Sequence, residues 1–435
     1  MKVFSLNVRS VPWVIAWIGV TAAGLEAQEL SGRIRASTDS SSVAGALVLL
    51  VDSTGREVGR TLSTPTGGFG FKAPAPGTYQ VRVLRIGYAS WRSPPVGLLP
   101  GERKETSFII EDRVIQLAAI EVRTTRSRCG VRPGEGDVIA SLLNEAEKAL
   151  AITDQTIRQG NLRFRTETWI SRPASAGAAG ERQTATATSQ AMWPVASAPP
   201  ESLARYGFVR EGRPQRSELG TGSGPIYFAP DARVLFAPWF LDTHCFSVVQ
   251  STGDTGGNVV IQFTPANRNA RRDIRGLLTL DRRSLELRSL QYWYTGLGKW
   301  VPFDSAGGRM SFRRLGTGAW VIDRWQMRAP IPLVGRRDTT LFGFAESGGQ
   351  VKEIRDSRSG EAEKISRAVL DLPSVGQQTI SQSFTLFWSD LCAHRGACLV
   401  DLSSFSSSAL DRPRLNSKKW TTTSGPRIDF RPVPI

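Results

Sequence analysis

Histidine is nearly absent from this 435-residue chain, which has only His244 and His394. A site built on imidazole ligands, or on a histidine base, therefore has almost nothing to draw on. Acidic residues are also in deficit, 39 Asp and Glu against 55 Lys and Arg, which leaves a formal net charge of +16. The excess is mostly arginine scattered through strand-like segments. Pairs such as Arg271-Arg272, Arg282-Arg283 and Arg313-Arg314 fall at turns and strand ends. A nucleic-acid binder gathers its basic residues on one face with aromatics between them, so nucleic acid is not an expected partner. The charge reads as a solvated face, or as attraction to anionic lipid or polysaccharide. Beyond the N-terminus no apolar run approaches the roughly 20 residues that cross a bilayer as a helix. Gly67-Gly68-Phe69-Gly70 is followed by no helix start and is not a phosphate loop.

What is present begins with Lys2 and Arg9, an apolar run from Val11 to Val20, small residues, and then Leu25-Glu26-Ala27-Gln28. This is the layout of a secretory signal cleaved after Ala27, and the run is too short to anchor the chain. The mature protein is expected to be exported, to the periplasm or in association with the outer membrane. The four cysteines, Cys129, Cys245, Cys392 and Cys398, suit that compartment as disulfides, for which three pairings exist. Cys392 with Cys398 closes a local loop, and Cys129 with Cys245 staples the segment leaving the first domain to the body of the second.

From Leu30 to Ile110 short alternating runs are separated by turn residues, the pattern of a β-sandwich. The clearest stretch is Thr64 to Tyr88. Phe69 and Phe71 alternate, Pro74, Pro76 and Gly77 force a turn, and Tyr79, Val81 and Val83 alternate again before Gly87-Tyr88. A G-x-F-x-F strand, a P-G turn, a Y-x-V-x-V strand and a closing G-Y resemble the carboxypeptidase regulatory-like domain, a transthyretin-like sandwich. The resemblance spans about Leu30 to Glu111 and implies a scaffold, not a catalyst. Enzymes that carry this sandwich are usually zinc carboxypeptidases, which need His-x-x-Glu and a distant second His. Neither His244 nor His394 has a glutamate three residues on, so that chemistry is excluded.

The division expected is a signal peptide at 1–27, the sandwich at 28–122, a linker with an amphipathic helix at 123–160, an antiparallel β-domain at 161–350, and a poorly ordered tail at 351–435. The sandwich should fold alone. The helix begins after Asp137 as N-cap, carries Ile139, Leu142, Leu143, Ala146 and Leu150 on one face, and ends near Thr153. Alternation returns at Leu162, Phe164, Thr166, Thr168 and Ile170, and strand-like runs follow at Arg233–Phe236, Phe246–Gln250 and Asn258–Thr264. Two hairpins then stand out, one from Gly276 across Asp281–Ser284, the other from Gly308 across Gly316–Gly318. Consecutive hairpins build a curled meander. The phrase G-x-L-x-L-D-x-x-S-x-x-L is similar to the repeating hairpin of the half-open barrels that carry lipoproteins across the periplasm. The fold class is mainly β: sandwich, helical connector, and a second antiparallel domain that is a curled meander or half-open barrel.

No catalytic constellation, cofactor or metal site emerges. His244 and Cys245 are neighbours on a strand, point to opposite faces, and cannot act as base and nucleophile. Cys392-x-His394-x-x-x-Cys398 holds soft ligands, but an exported chain favours a disulfide there. The rings Tyr292, Trp293, Tyr294, Trp300, Trp320 and Trp325 crowd the meander. Core packing explains them. The competing reading is a concave cleft for a glycan or lipid, with Tyr292, Trp320 and Trp325 against the ligand and Arg313 and Arg324 at its rim. The expected function is an exported, non-enzymatic envelope protein that binds or scaffolds, touching the membrane peripherally or an outer-membrane protein. The alternatives are a small outer-membrane β-barrel or receptor-associated component, and a hydrolase with an unfamiliar site. A chain ending Pro-Val-Pro-Ile lacks the aromatic terminus usual in such barrels.

Overall fold

The structure, a computed structural model, describes residues 28–111, 127–133, 138–190, 193–210, 225–249, 257–267, 272–335, 338–357 and 360–365. The expected signal sequence, the Asp137 cap, Cys392, Cys398 and the tail beyond 365 lie outside them. Among the described residues the fold is mainly β.

The first eight strands form the sandwich: β1 (Gln28–Ala36), β2 (Leu47–Asp52), β3 (Glu57–Leu62), β4 (Gly68–Ala73), β5 (Gly77–Leu84), β6 (Trp91–Arg92), β7 (Val96–Leu98) and β8 (Arg103–Ile110). One sheet has the order β4-β1-β8, with β1 and β8 parallel; the other runs β3-β2-β5, with β6 and β7 both on β5. Alternation places Leu30, Ile34, Phe69, Phe71, Tyr79, Val81 and Val83 between the sheets. Pro94 and Pro95 reduce the Trp91–Leu99 run to two short edge strands.

The remaining strands make one long antiparallel sheet and a separate two-stranded pair. In chain order the elements are β9 (Arg128–Cys129), α1 (Val138–Gln159), β10 (Leu162–Arg172), β11 (Glu181–Gln190), α2 (Pro200–Tyr206), β12 (Val209–Arg210), β13 (Ile226–Tyr227), α3 (Ala232–Leu235) and α4 (Pro238–Thr243). Then come β14 (His244–Val249), β15 (Asn258–Pro265), β16 (Asp273–Asp281), β17 (Leu287–Thr295), β18 (Gly307–Arg314), β19 (Trp320–Val334), β20 (Thr339–Asp356) and β21 (Ala362–Lys364). The pair is β12 with β13; the order of the long sheet is β11-β10-β20-β19-β18-β17-β16-β15-β14-β9, with β21 on β20. Among the described residues the end strands β11 and β9 do not pair, and the sheet does not close into a barrel. It curls round α1, which touches β10, β14, β15, β17 and β19. The inward side chains Ile261, Phe263, Leu278, Leu290, Tyr292, Met310 and Phe312 pack with Leu142, Leu143, Ala146 and Leu150 of the helix.

Several expectations are revised here. Helix α1 runs on to Gln159, because Ile157 extends its apolar stripe, and Gly160 at φ +64° ends it. Arg233–Phe236 is a helical turn, not a strand. The Asp231 carboxylate accepts the Val234 N–H at 3.0 Å and caps it, and a run of three apolar residues after Arg233 carries no period of its own. Val351 belongs to β20 instead of opening a loose tail, since residues 350–356 pair with β10 despite their charge.

The sandwich is also less separate than expected. Every residue of Leu47–Val51 is buried, and the strand has two inward faces. Val48 and Leu50 face the sandwich core, whereas Leu47, Leu49 and Val51 join the core around α1. The helix therefore lies between two β units and shares a face with each. Lys148 and Glu145, 2% and 0% exposed, fasten the junction. The Lys148 Nζ donates to Glu145 Oε1 at 2.6 Å and to the Tyr88 carbonyl at 2.7 Å, while Gly87 N donates to Glu145 Oε2 at 2.7 Å. Burial pushes the Glu145 carboxyl above its usual range, with the Lys148 charge and the hydrogen bonds from Lys148, Gly87 and Asn144 pulling the other way.

Candidate functional site

Register decides which meander residues meet. Met310 pairs with Trp325, Phe312 with Ile322, and Arg314 with Trp320, while Ser311 pairs with Arg324 and Arg313 with Val321. Asp323 is the extra residue where the register shifts, and its carboxylate takes Arg313 Nε at 3.2 Å. Trp325 thus shares the helix-side face with Met310, whereas Arg324 lies on the opposite face of the sheet with Gln350. Burial and then the Arg324 charge lower the Arg309 guanidinium on that outer face.

The five residues expected against a ligand are therefore not gathered in one place. Tyr292 and Trp320 are almost wholly buried in the core. Tyr292 stands edge-on to Tyr294 with ring centroids 5.6 Å apart, and Tyr294 donates to the Phe228 carbonyl at 3.0 Å. Burial raises both phenols far from any physiological titration. Arg313 and Arg324 face away from them.

Trp325 is different: it lines a hollow of about 270 Å³ at the corner where β19, β20 and β10 meet. The other walls are Phe164 and Ile170 of β10, Val351 of β20, Ile322, and Ile157 from the last turn of α1. The corner opens where β10 and β20 change register at Arg165/Thr166 and β18 and β19 at Ser311/Phe312. Gly349 explains the ring's position. A Cβ there would collide with the Trp325 indole, so only glycine lets the ring lie flat on the strand. Thr166 and Thr168 also line the hollow, but their hydroxyls donate to the Ala187 and Ala185 carbonyls of β11 at 3.4 Å. Their methyl groups are left to the hollow, whose lining is mostly apolar; Ser189, Gln190 and Ser347 supply its polar atoms. Such a lining suits an apolar group, and among the described residues it includes no general acid or base.

The sequence offers Trp325 and the Phe164–Ile170 alternation as separate features, and its charged surroundings set Val351 in the tail. The signal that links them is Gly348-Gly349 inside a strand, which marks a close approach of rings. A broader cleft of about 670 Å³ lies between the sandwich and the end of the sheet, lined by polar residues such as Thr64, Asn161 and Asp356. Among the described residues no buried ring forms a wall of that cleft except Phe69, a member of the sandwich core.

Cys245 and His244 are both taken up by structural contacts. Cys245 is bonded to Cys129, joining β14 to β9. His244 is fully buried, stacked on Phe240 with centroids 3.7 Å apart, and its two ring nitrogens lie 3.0 and 3.1 Å from the Phe240 and Ile274 carbonyls. Among the described residues no three His, Cys, Asp or Glu side chains gather to hold a metal ion.

No curated protein matches the chain. Among solved structures, a Bacteroides uniformis protein named as a candidate carbohydrate-binding protein matches with 7% identity over 58% of this chain and 98% of its own, at a TM-score of 0.17. Residues 29–111 match the family model of the carboxypeptidase regulatory-like domain, and the sandwich they form is such a domain.

Proposed function

We propose that the protein is an exported, non-enzymatic binding module of the cell envelope, and that the hollow beside Trp325 receives an apolar part of its ligand, such as a lipid acyl chain. The observation that carries this reading is the composition of the hollow. Phe164, Ile170, Trp325 and Val351 surround a space of about 270 Å³, and the threonine hydroxyls beside them are already spent on β11. A sugar ring would need those hydroxyls; an acyl segment needs only the methyl groups. Export is supported by the basic, apolar and small-residue order of the first 27 residues, and by the Cys129–Cys245 bond. The lack of a catalytic role is supported by the fixed, buried state of His244.

Energy transfer from tryptophan to dansyl-labelled undecanoic acid tests the ligand class. Saturable transfer is expected, weakened about ten-fold or more by Thr168→Phe, which fills the hollow from β10. Undiminished transfer in that variant, or saturable binding of envelope oligosaccharides in its place, would overturn the acyl reading. Cell fractionation tests export separately, and retention in the cytoplasm with an intact N-terminus would refute it.

A further inference from the structure

A second hollow, of about 210 Å³, lies where the sandwich meets the turns of the large sheet. It is independent of the apolar corner and shares no lining residue with it. Three stretches of its wall each bring one arginine: Arg85–Tyr88 after β5, Arg283–Glu286 between β16 and β17, and Arg314–Trp320 around the β18–β19 turn. Ala44 and Gly45 before β2 and Ile152 of α1 complete the lining. Arg85 is held with its guanidinium 4.0 Å over the Tyr88 ring. Arg283 is placed by the Asp281 turn, whose carboxylate accepts the Arg283 and Ser284 N–H groups at 3.0 and 2.9 Å. Arg314 ends β18 and reaches Glu286 at 3.7 Å.

The charge does not cancel. Among the described residues Glu286 is the one carboxylate lining the hollow, and Arg288, outside it, also claims that group at 3.3 Å. Three arginines line a space rimmed by Gly45, Gly87 and Gly318, all at positive φ and all without a side chain to fill it. The backbones are packed as tightly as glycine permits: a Cβ on Gly87 would sit 3.0 Å from the Ser284 carbonyl, and one on Gly318 would sit 2.9 Å from the Gly45 Cα. Like charges drawn together at such a junction repel one another unless an anion sits among them.

We propose that this junction hollow is a binding site for a phosphate or sulfate ester. Arg283 and Arg314 would reach it from the sheet and Arg85 from the regulatory-like domain. Guanidinium forks match the paired oxygens of such groups, and an anion held by both sides would tighten the seat of the sandwich on the sheet. The same oxyanion chemistry occurs on a lipid headgroup and on a soluble phosphorylated or sulfated sugar.

The full mature chain is titrated with pyrophosphate and with sulfate against chloride at matched ionic strength, following the unfolding midpoint and the heat of binding. A saturable rise in the midpoint is expected, with affinity falling about ten-fold or more in R283A/R314A. Both residues are exposed, so the variant should fold, and R56A/R103A, two exposed arginines of the sandwich, serves as the charge-matched comparison. A midpoint that rises equally in chloride, or an equal response in R283A/R314A, overturns the proposal. Vesicles of phosphatidylglycerol and a sulfated oligosaccharide then identify the source: whichever is lost in R283A/R314A carries the ester. Loss of neither refutes the assignment.

Discussion

At the scale of single residues, Asp281 shows how one side chain shapes a hairpin. Its Oδ1 accepts from Arg283 N and Ser284 N, its Oδ2 accepts from Arg288 Nη2 at 2.9 Å, and Leu285 can then take φ +59° to re-enter the sheet. This is the physical content of the D-x-x-S in the repeating phrase: a carboxylate that ties off the turn it begins. Partial burial pushes its pKa up, but the backbone and Arg288 hydrogen bonds prevail and hold it down at about 2. A carboxylate with a depressed folded pKa stabilises fully above its unfolded value and loses that stabilisation as pH falls through the folded one. Asp281 should therefore contribute on the order of 1–2 kcal/mol near neutrality, fading between about pH 4 and pH 2. Urea unfolding of Asp281→Asn is expected to show that deficit at pH 7 and a flatter pH dependence below 4. Equal slopes for the two proteins would remove Asp281 from the account.

At the scale of elements, α1 is the piece on which both β units depend. Its Glu145–Lys148 pair is sealed from water and completed by Gly87 N and the Tyr88 carbonyl. Removing one partner strands the other charge in the core, so Lys148→Met should cost about 3–5 kcal/mol, while replacing both with apolar residues should restore much of it. A double-mutant cycle measures this, and additive single effects would show the pair to be uncoupled. The deficit should also respond to pH with a definite sign. Glu145 has a raised folded pKa, so its protonation favours the folded state, and the Lys148→Met deficit should shrink as pH falls toward the unfolded carboxylate value near 4.5.

At the scale of the whole molecule, two links hold distant sequence together. The Cys129–Cys245 bond closes a loop with a sequence separation of 116, for which chain entropy alone suggests a stabilisation of about 4–5 kcal/mol. Reduction, or a Cys129→Ser/Cys245→Ser variant, should lower stability by that order in denaturant titrations. Native, oxidised protein in which Cys129 is readily alkylated would show that the staple does not form in solution. The second link is the shared core. A fragment of residues 28–111 would expose Leu47, Leu49 and Val51, which in the full chain lie against α1. It is expected to self-associate or to unfold without cooperativity, and substituting lysine at Leu49 should improve its solubility. A monomeric fragment with a sharp transition matching the full protein would show that the sandwich needs no partner.

Sequence by itself determined the sandwich, because period-two alternation at Phe69, Phe71, Tyr79, Val81 and Val83, broken by Pro and Gly, admits little else. It determined the meander in the same way: the hairpin turns at Asp281–Ser284 and Gly316–Gly318 fall where their residues require, and Met310 and Phe312 meet Trp325 and Ile322 across the sheet. It also brought Cys129 and Cys245 forward as a pair. It could not decide which side of each strand would be covered. Alternation says that two faces differ, but β2 is apolar on both, and only the placement of α1 assigns Leu49 to one core and Leu50 to the other. Arginines and rings that stand together in the sequence part company for the same reason: a strand sends neighbours to opposite faces, and a single register shift at Asp323 resets which neighbours those are. The corner beside Trp325 and the arginine junction draw their walls from segments far apart in the chain. Their existence was settled only when a helix and two sheets had been packed around one another.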